Sequence, residues 1–297
     1  MYSNSILDDL KNIFRQNNII NQIILVNVGV FVLVGIINVI SWMIGLNSFD
    51  LSYWLSIPAS LPALLLKPWT LITYMFLHVG FFHILFNMLW FYWFAQILVN
   101  FLGMRKILPI YIYGGLFGAA LYIIAYNIFP VFQNVLPAAT MMGASAGVLA
   151  IVVAAATLSP DFTIHLMFIG PVKIKYIALF SIILDLIQIP HGNAGGHIAH
   201  LGGALFGFLF IKQLQAGNDW SKPFNNFMDA FVDAFKPRSK SPKMTYTKTA
   251  STAPKKTSKS NQTDQAKIDA ILDKISASGY DSLTATEKEM LFKHSKK

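Results

Sequence analysis

The feature that most constrains this chain is the separation of its charge from its apolar mass. Residues 1–213 hold only 8 of the 23 Lys and Arg and 5 of the 14 Asp and Glu. The remaining 84 residues hold the other 15 and 9. Over the whole chain 55% of residues are hydrophobic and 12% are charged, whereas a soluble domain carries about a quarter charged. The first part therefore reads as a bilayer domain and the second as a solvated tail. Six apolar segments can be drawn, at 23–46, 79–102, 107–129, 144–158, 175–189 and 196–211. The first begins near Ile23 and is too long for the apolar part of a signal peptide, so a retained span is expected rather than a cleaved leader.

The basic residues orient the segments. Lys11 and Arg15 precede the first, Arg105 and Lys106 follow the second, and Lys173 and Lys175 follow the fourth. The opposite side carries only Lys67. The positive-inside rule then puts both termini in the cytoplasm of a multi-pass cell-membrane protein. The connection 47–78 is rich in Trp, Pro and Leu, which suits an interfacial loop. The net charge of +9 sits mostly in the tail. It suits anionic lipid headgroups, and nothing in the chain resembles a nucleic-acid module. With no cysteine, disulfides, thiolate catalysis and Cys–zinc sites are excluded.

This orientation places several polar residues at one depth. Ser145 opens the fourth segment in Gly143-Ala144-Ser145-Ala146-Gly147, and His200 lies about one turn into the sixth. His83 and Asn87, four apart on one helix face, lie one to two turns into the second. The fourth segment is short: fifteen residues span about 22 Å against about 30 Å of hydrocarbon. Ser145 can thus lie below the outer surface, in a cavity that admits water. A serine and a histidine so placed suggest nucleophile and base, although a serine in a membrane helix also serves as a packing residue. Gly-x-Ser-x-Gly matches the nucleophile elbow of α/β-hydrolases, but no strand precedes it. Gly203 and Gly207 share the side of His200 and permit close approach to a neighbour, which favours His200 over His197 as the base. A zinc site on His197 and His200 would need further ligands, and no His-Glu-x-x-His occurs, so no metal or other cofactor is expected. His83 and Asn87 can stabilise an oxyanion or can bond helix to helix. Asp185, in the fifth segment, reads as a packing or capping partner.

Several of these residues together carry a family resemblance. They are Trp69, His78-x4-His83-x3-Asn87, Gly103 with Arg105, Gly143-Ala144-Ser145, and Ala199-His200-Leu201-Gly202-Gly203-x3-Gly207. The chain resembles the rhomboid intramembrane serine proteases over about residues 55–213. The resemblance implies an all-α membrane protein, a six-transmembrane-helix bundle with a flexible C-terminal tail. It implies catalysis by Ser145 and His200 as a dyad without an acidic third member. It also implies an oxyanion hole from the Ser145 amide with His83 and Asn87, and a structural His78. The expected substrates are single-pass transmembrane proteins, cut near the outer membrane face. The sequence departs from the family pattern at Trp69-Thr70, where Trp-Arg is usual, at Ala146-Gly147, and at Leu149, where an aromatic ring often packs on the histidine. The other readings are a catalytically inactive relative that binds client helices, or a small transporter.

The expected organisation is a cytoplasmic segment 1–22, a membrane domain 23–213, a basic disordered linker 214–263 and a small helical hairpin 264–297. In the hairpin Ile268, Ile271, Leu272 and Ile275 follow helical spacing, and Thr284-x-x-Glu287 has the form of a capping box. About thirty residues cannot bury much core, so this hairpin is expected to dock on a protein partner, on another copy of the chain or on the membrane lipid surface.

Overall fold

The computed structural model describes residues 18–46, 49–166, 169–235 and 261–295. Residues 1–17 and 236–260, which hold most of the expected N-terminal segment and part of the expected linker, lie outside the described residues. The chain divides into two units, 1–236 and 237–297.

In the first unit α1 (Ile19–Met43) starts where the Asn18 carboxamide accepts from the amides of Ile20 and Asn21. Three short helices follow, α2 (Leu51–Leu55), α3 (Leu61–Leu66) and α4 (Thr70–Thr73). Then come α5 (Phe81–Leu102), α6 (Ile107–Ile128), α7 (Ser145–Leu158), α8 (Ile174–Gln188), α9 (Ala194–Gln215) and α10 (Ser221–Phe235). Among the described residues five helical stretches are long and apolar enough to cross a membrane: those of α1, α5, α6, α8 and α9. The sixth apolar helix, α7, has 14 residues.

The brevity of α7 matches its place. Ala150, Ile151, Val152, Ala154 and Ala155 are fully buried, and a helix apolar all round belongs inside a bundle. Its neighbours are α5, α6, α8 and α9. The approach of α9 is very close. A Cβ on Gly203 would stand 2.0 Å from the Ala146 carbonyl oxygen, and one on Gly207 would stand 2.2 Å from that of Ala150. Only glycine lets the two backbones meet there, as the spacing from His200 anticipates.

The fold is mostly helical, as expected, and two short antiparallel two-stranded ladders among the described residues add to the helices. The first, β1 (Ile57–Pro58) with β2 (Thr140–Met141), ties the long first connection to the chain just before α7. The second, β3 (Thr163–Leu166) with β4 (Gly170–Lys173), joins α7 to α8. From residue 49 on, the expected interfacial connection is itself folded. The Trp69 indole donates to the Trp54 carbonyl at 3.0 Å, and the hydroxyls of Thr70 and Thr73 donate to the carbonyls of Lys67 and Leu55. Thr70, at one of the departures from the family pattern, thus bonds within the loop.

The expected linker 214–263 is corrected. Ser221–Phe235 is a helix, capped by Asp219, whose carboxylate accepts from the Ser221 amide and hydroxyl. Asp219 and Asp229 pair with Lys106 and Arg105, and the Phe224 ring meets Tyr113 edge-on at 5.5 Å. Phe224, Phe227, Met228 and Phe231 recur at helical spacing, a pattern that the polar composition around them obscures.

In the second unit α11 (Asn261–Ser278) and α12 (Ala285–Ser295) form the hairpin. The Thr284 amide donates to the Glu287 carboxylate at 2.8 Å, and Lys274 lies 3.0 Å from the same group. The bond from the Thr284 amide, then that from Lys274, holds the Glu287 carboxyl at about 2, against an ordinary 4.5.

Two predictions come from these contacts. Gly207→Val should destabilise the bundle by about 1–3 kcal/mol through overpacking, read as a lower thermal midpoint in detergent. The same change at Gly35, where a Cβ would meet nothing within 4 Å, should leave the midpoint in place; equal shifts would contradict the packing. The stabilisation from Glu287 is present above its unfolded pKa and is lost as pH falls from about 4.5 towards 2. The Thr284 amide resonance of the folded chain should titrate at the low end of that window, about 2, and Glu287→Gln should abolish the titration.

Candidate active site

Ser145 is the first residue of α7, and the chain before it is pinned on two sides. The β1–β2 ladder holds Met141, and the Gly143 amide donates to the Tyr74 carbonyl at 2.9 Å. The Tyr74 hydroxyl in turn donates to the Gly115 carbonyl in α6 at 2.6 Å. Gly143 has φ +140, and a Cβ there would lie 3.3 Å from both the Ser145 hydroxyl oxygen and the His83 ring. The position thus needs glycine for its backbone and for the space it leaves.

The first contact of the serine is short. Ser145 Oγ lies 2.6 Å from His200 Nε2. The α7–α9 glycine contact sets this distance, because His200 lies one turn before Gly203 on α9. His197 does not reach the serine. Its Nδ1 lies 2.8 Å from Asp185 Oδ1, and so does Nδ1 of His200. Asp185, on α8, is 8% exposed. Its expected role as a packing or capping partner is thereby corrected, and the Ser145–His200 pair has an acidic neighbour after all.

His83 and Asn87 face the same space. The His83 Nδ1 accepts from the Val79 amide at 3.4 Å, so a neutral ring carries its proton on Nε2. The Asn87 amide donates to the His83 carbonyl at 2.8 Å, which uses one of its two N–H groups. His78 is buried, with its ring edge-on to His83 at 5.1 Å between centroids. Ser145, His200, Asp185, His83 and Asn87 line one cavity of about 460 Å³. Its other walls are apolar side chains of α5 (Phe82, Phe86, Trp90), α7 (Val148, Leu149, Val152) and α8 (Leu184), together with Ser181 of α8.

The arrangement offers a hydroxyl nucleophile on a base, with donors nearby. Asp185, His197 and His200 also bring three ligand atoms within 4.8 Å of one another. Their 2.8 Å separations fit N–H···O bonds between the groups themselves, and His200 commits its second nitrogen to Ser145. The sequence held one sign of Asp185. It is an ionisable residue within an apolar span, and such residues are expensive and usually functional. No spacing rule, however, says which faces of α8 and α9 meet.

Residues 66–215 match the family model of the rhomboid domain. The chain belongs to the rhomboid family. A stretch of 213 residues is 28% identical to RHOMBOID-like protein 12, mitochondrial, of Arabidopsis thaliana, and covers 67% of this chain. It covers 59% of that relative, so the chain spans less than two thirds of the relative's length. Residues 252–297 match a second model, a family of unknown function (DUF6576). The rhomboid match takes in Trp69, His83, Asn87, Ser145, His200 and the glycines of α9. It also takes in Asp185. The rhomboid domain and the five long apolar helices make this a multi-pass membrane protein.

Proposed function

We propose that this rhomboid-family protein is an intramembrane serine endopeptidase that cleaves transmembrane-helix substrates near the outer membrane face. The 2.6 Å contact between Ser145 Oγ and His200 Nε2, at the wall of an apolar cavity, carries the reading. In this reading α7 is the sixth span, about 21 Å long at 1.5 Å per residue, and so begins below the outer surface. Both termini are cytoplasmic and the site is the cell membrane. The apolar walls contributed by α5 and α8 suit a substrate helix entering from lipid, whose backbone must unwind to expose its scissile bond.

The chemistry follows from the atoms. His200 Nε2 takes the proton from Ser145 as Oγ bonds to the substrate carbonyl carbon, and the carbonyl π pair moves to oxygen. The Ser145 amide, the His83 Nε2–H and the free N–H of Asn87 stabilise that oxyanion. Protonated His200 gives its proton to the leaving amine as the C–N bond breaks. Water, deprotonated by His200, attacks the acyl-enzyme, and the proton returns to Ser145 Oγ. No cofactor enters. The substrates are single-pass proteins and the medium is lipid. The C-terminal hairpin is proposed to dock on a protein partner.

A catalytically inactive relative that binds client helices would use the same cavity, and a small transporter would use it for cargo. Both differ from a protease at the serine. In proteoliposomes with a transmembrane substrate, Ser145→Ala should lower cleavage by about 10³-fold or more. A fluorophosphonate should label the native chain and not this variant. Cleavage that survives Ser145→Ala would sink the protease reading, and an unlabelled, inactive native chain would favour a binder or a transporter. Asn87→Ala should lower kcat by about 10²-fold, the usual loss for one oxyanion donor.

Histidine substitutions give a separate check. His200→Ala should be as severe as Ser145→Ala, and the double variant no worse, because the two residues act as a unit. His197→Ala should lose no more than about tenfold, a secondary effect next to the loss of the base itself. The reverse ranking would move the base to His197.

A further inference from the structure

Asp185 has a use that neither the rhomboid match nor the dyad explains. The residue is 8% exposed on a span otherwise apolar around it. A buried carboxylate is costly unless it is fully bonded. Here one oxygen, Oδ1, sits 2.8 Å from Nδ1 of His200 and 2.8 Å from Nδ1 of His197. A carboxylate has no proton to give, so each ring must donate its Nδ1–H. That choice fixes the tautomer of each neutral ring: with the proton on Nδ1, the lone pair is left on Nε2.

For His200 the lone pair faces Ser145 Oγ at 2.6 Å. In the other tautomer Nε2 would carry a proton and could not accept one from the serine. We propose that Asp185 is the positioning acid of this site, orienting His200 and selecting its accepting tautomer, with His197 bracing the carboxylate from one turn earlier on α9. The inference deepens the protease reading and rests on it for its catalytic meaning. The set becomes Ser145–His200–Asp185, and the proton never leaves the serine–histidine–amine path. Asp185 stays ionised and pairs with the imidazolium that forms when His200 is protonated, in a site of low dielectric.

The bonding pattern separates this role from a cap or a packing contact. Asp185 lies three residues before the end of α8, yet among the described residues its partners are the two imidazoles and no backbone amide. The two rings are nearly perpendicular, at 85°. Two donors from crossed planes restrict rotation of the carboxylate more than one donor could. Ser145 on α7 bonds the other nitrogen of His200; the further polar groups that line the cavities shared with His200 are His83 and Asn87 on α5, Ser181 on α8, Tyr74 and Asn193.

The test uses the full chain in proteoliposomes. Asp185→Asn keeps the shape and removes the charge. It should lower kcat by about 10²-fold or more while KM moves less than about threefold, since an asparagine in the equivalent place disrupts the tautomer in other serine proteases. Asp185→Glu should recover part of the loss, which a purely structural role would not predict. The thermal midpoint is measured alongside. A kcat for Asp185→Asn within about twofold of native, with Ser145→Ala inactive, would overturn the positioning role and leave the protease reading intact. Nitrogen-15 histidine spectra of the detergent-solubilised chain decide the point without turnover. His200 should be the Nδ1–H tautomer in the native protein and a mixture in Asp185→Asn. An unchanged tautomer would overturn the inference, whether or not the native chain cleaves the substrate.

Discussion

The rest of the molecule depends on the close meeting of α7 and α9. Gly203 and Gly207 lie where any Cβ would strike the Ala146 and Ala150 carbonyls. In a bilayer, apolar side chains gain little by leaving lipid for each other, so helix association leans on such intimate van der Waals contact. This contact decides how far His200 stands from Ser145. A shift of α9 by the width of one methyl group would break a 2.6 Å hydrogen bond. The same helix then carries His197 to α8, so one seam of small residues organises serine, both histidines and the carboxylate.

A second constraint acts from the loop side. The segment before α7 is held by the β1–β2 ladder and by the bond from Gly143 to Tyr74, whose hydroxyl is anchored on α6. The first residue of α7 is therefore fixed by groups from three other parts of the chain. The interfacial connection that supplies them is itself closed by Trp69, Thr70 and Thr73. The proposed nucleophile thus stands on a segment tied by hydrogen bonds to the loop and to α6, which favours an oriented proton transfer.

Much of this was legible beforehand, and for a physical reason. Apolar length and the placement of Arg105, Lys106, Lys173 and Lys175 act through local chemistry, so segments and their ends could be read directly. The glycine stripe after His200 could be read because residues three and seven apart share a helix face. Helix α10 was missed because its charged residues suggested a solvated linker, while its partners, Arg105 and Lys106, lie more than a hundred residues away. The β1–β2 ladder was missed for a similar reason. It pairs two-residue strands that are about eighty positions apart.

The sequence by itself determined a membrane protein of the rhomboid family and singled out Ser145 and His200 as its candidate pair, because these depend on composition, spacing and motif. It could also say that a lone carboxylate in a span is expensive. It could not say where that carboxylate goes. Whether Asp185 faces lipid, a packing neighbour or the imidazoles depends on the rotation of α8 against α9, which is set by side-chain packing along both helices. Only the tertiary structure brings its oxygen to 2.8 Å from both His197 and His200, and so turns a serine–histidine pair into a set of three with a brace.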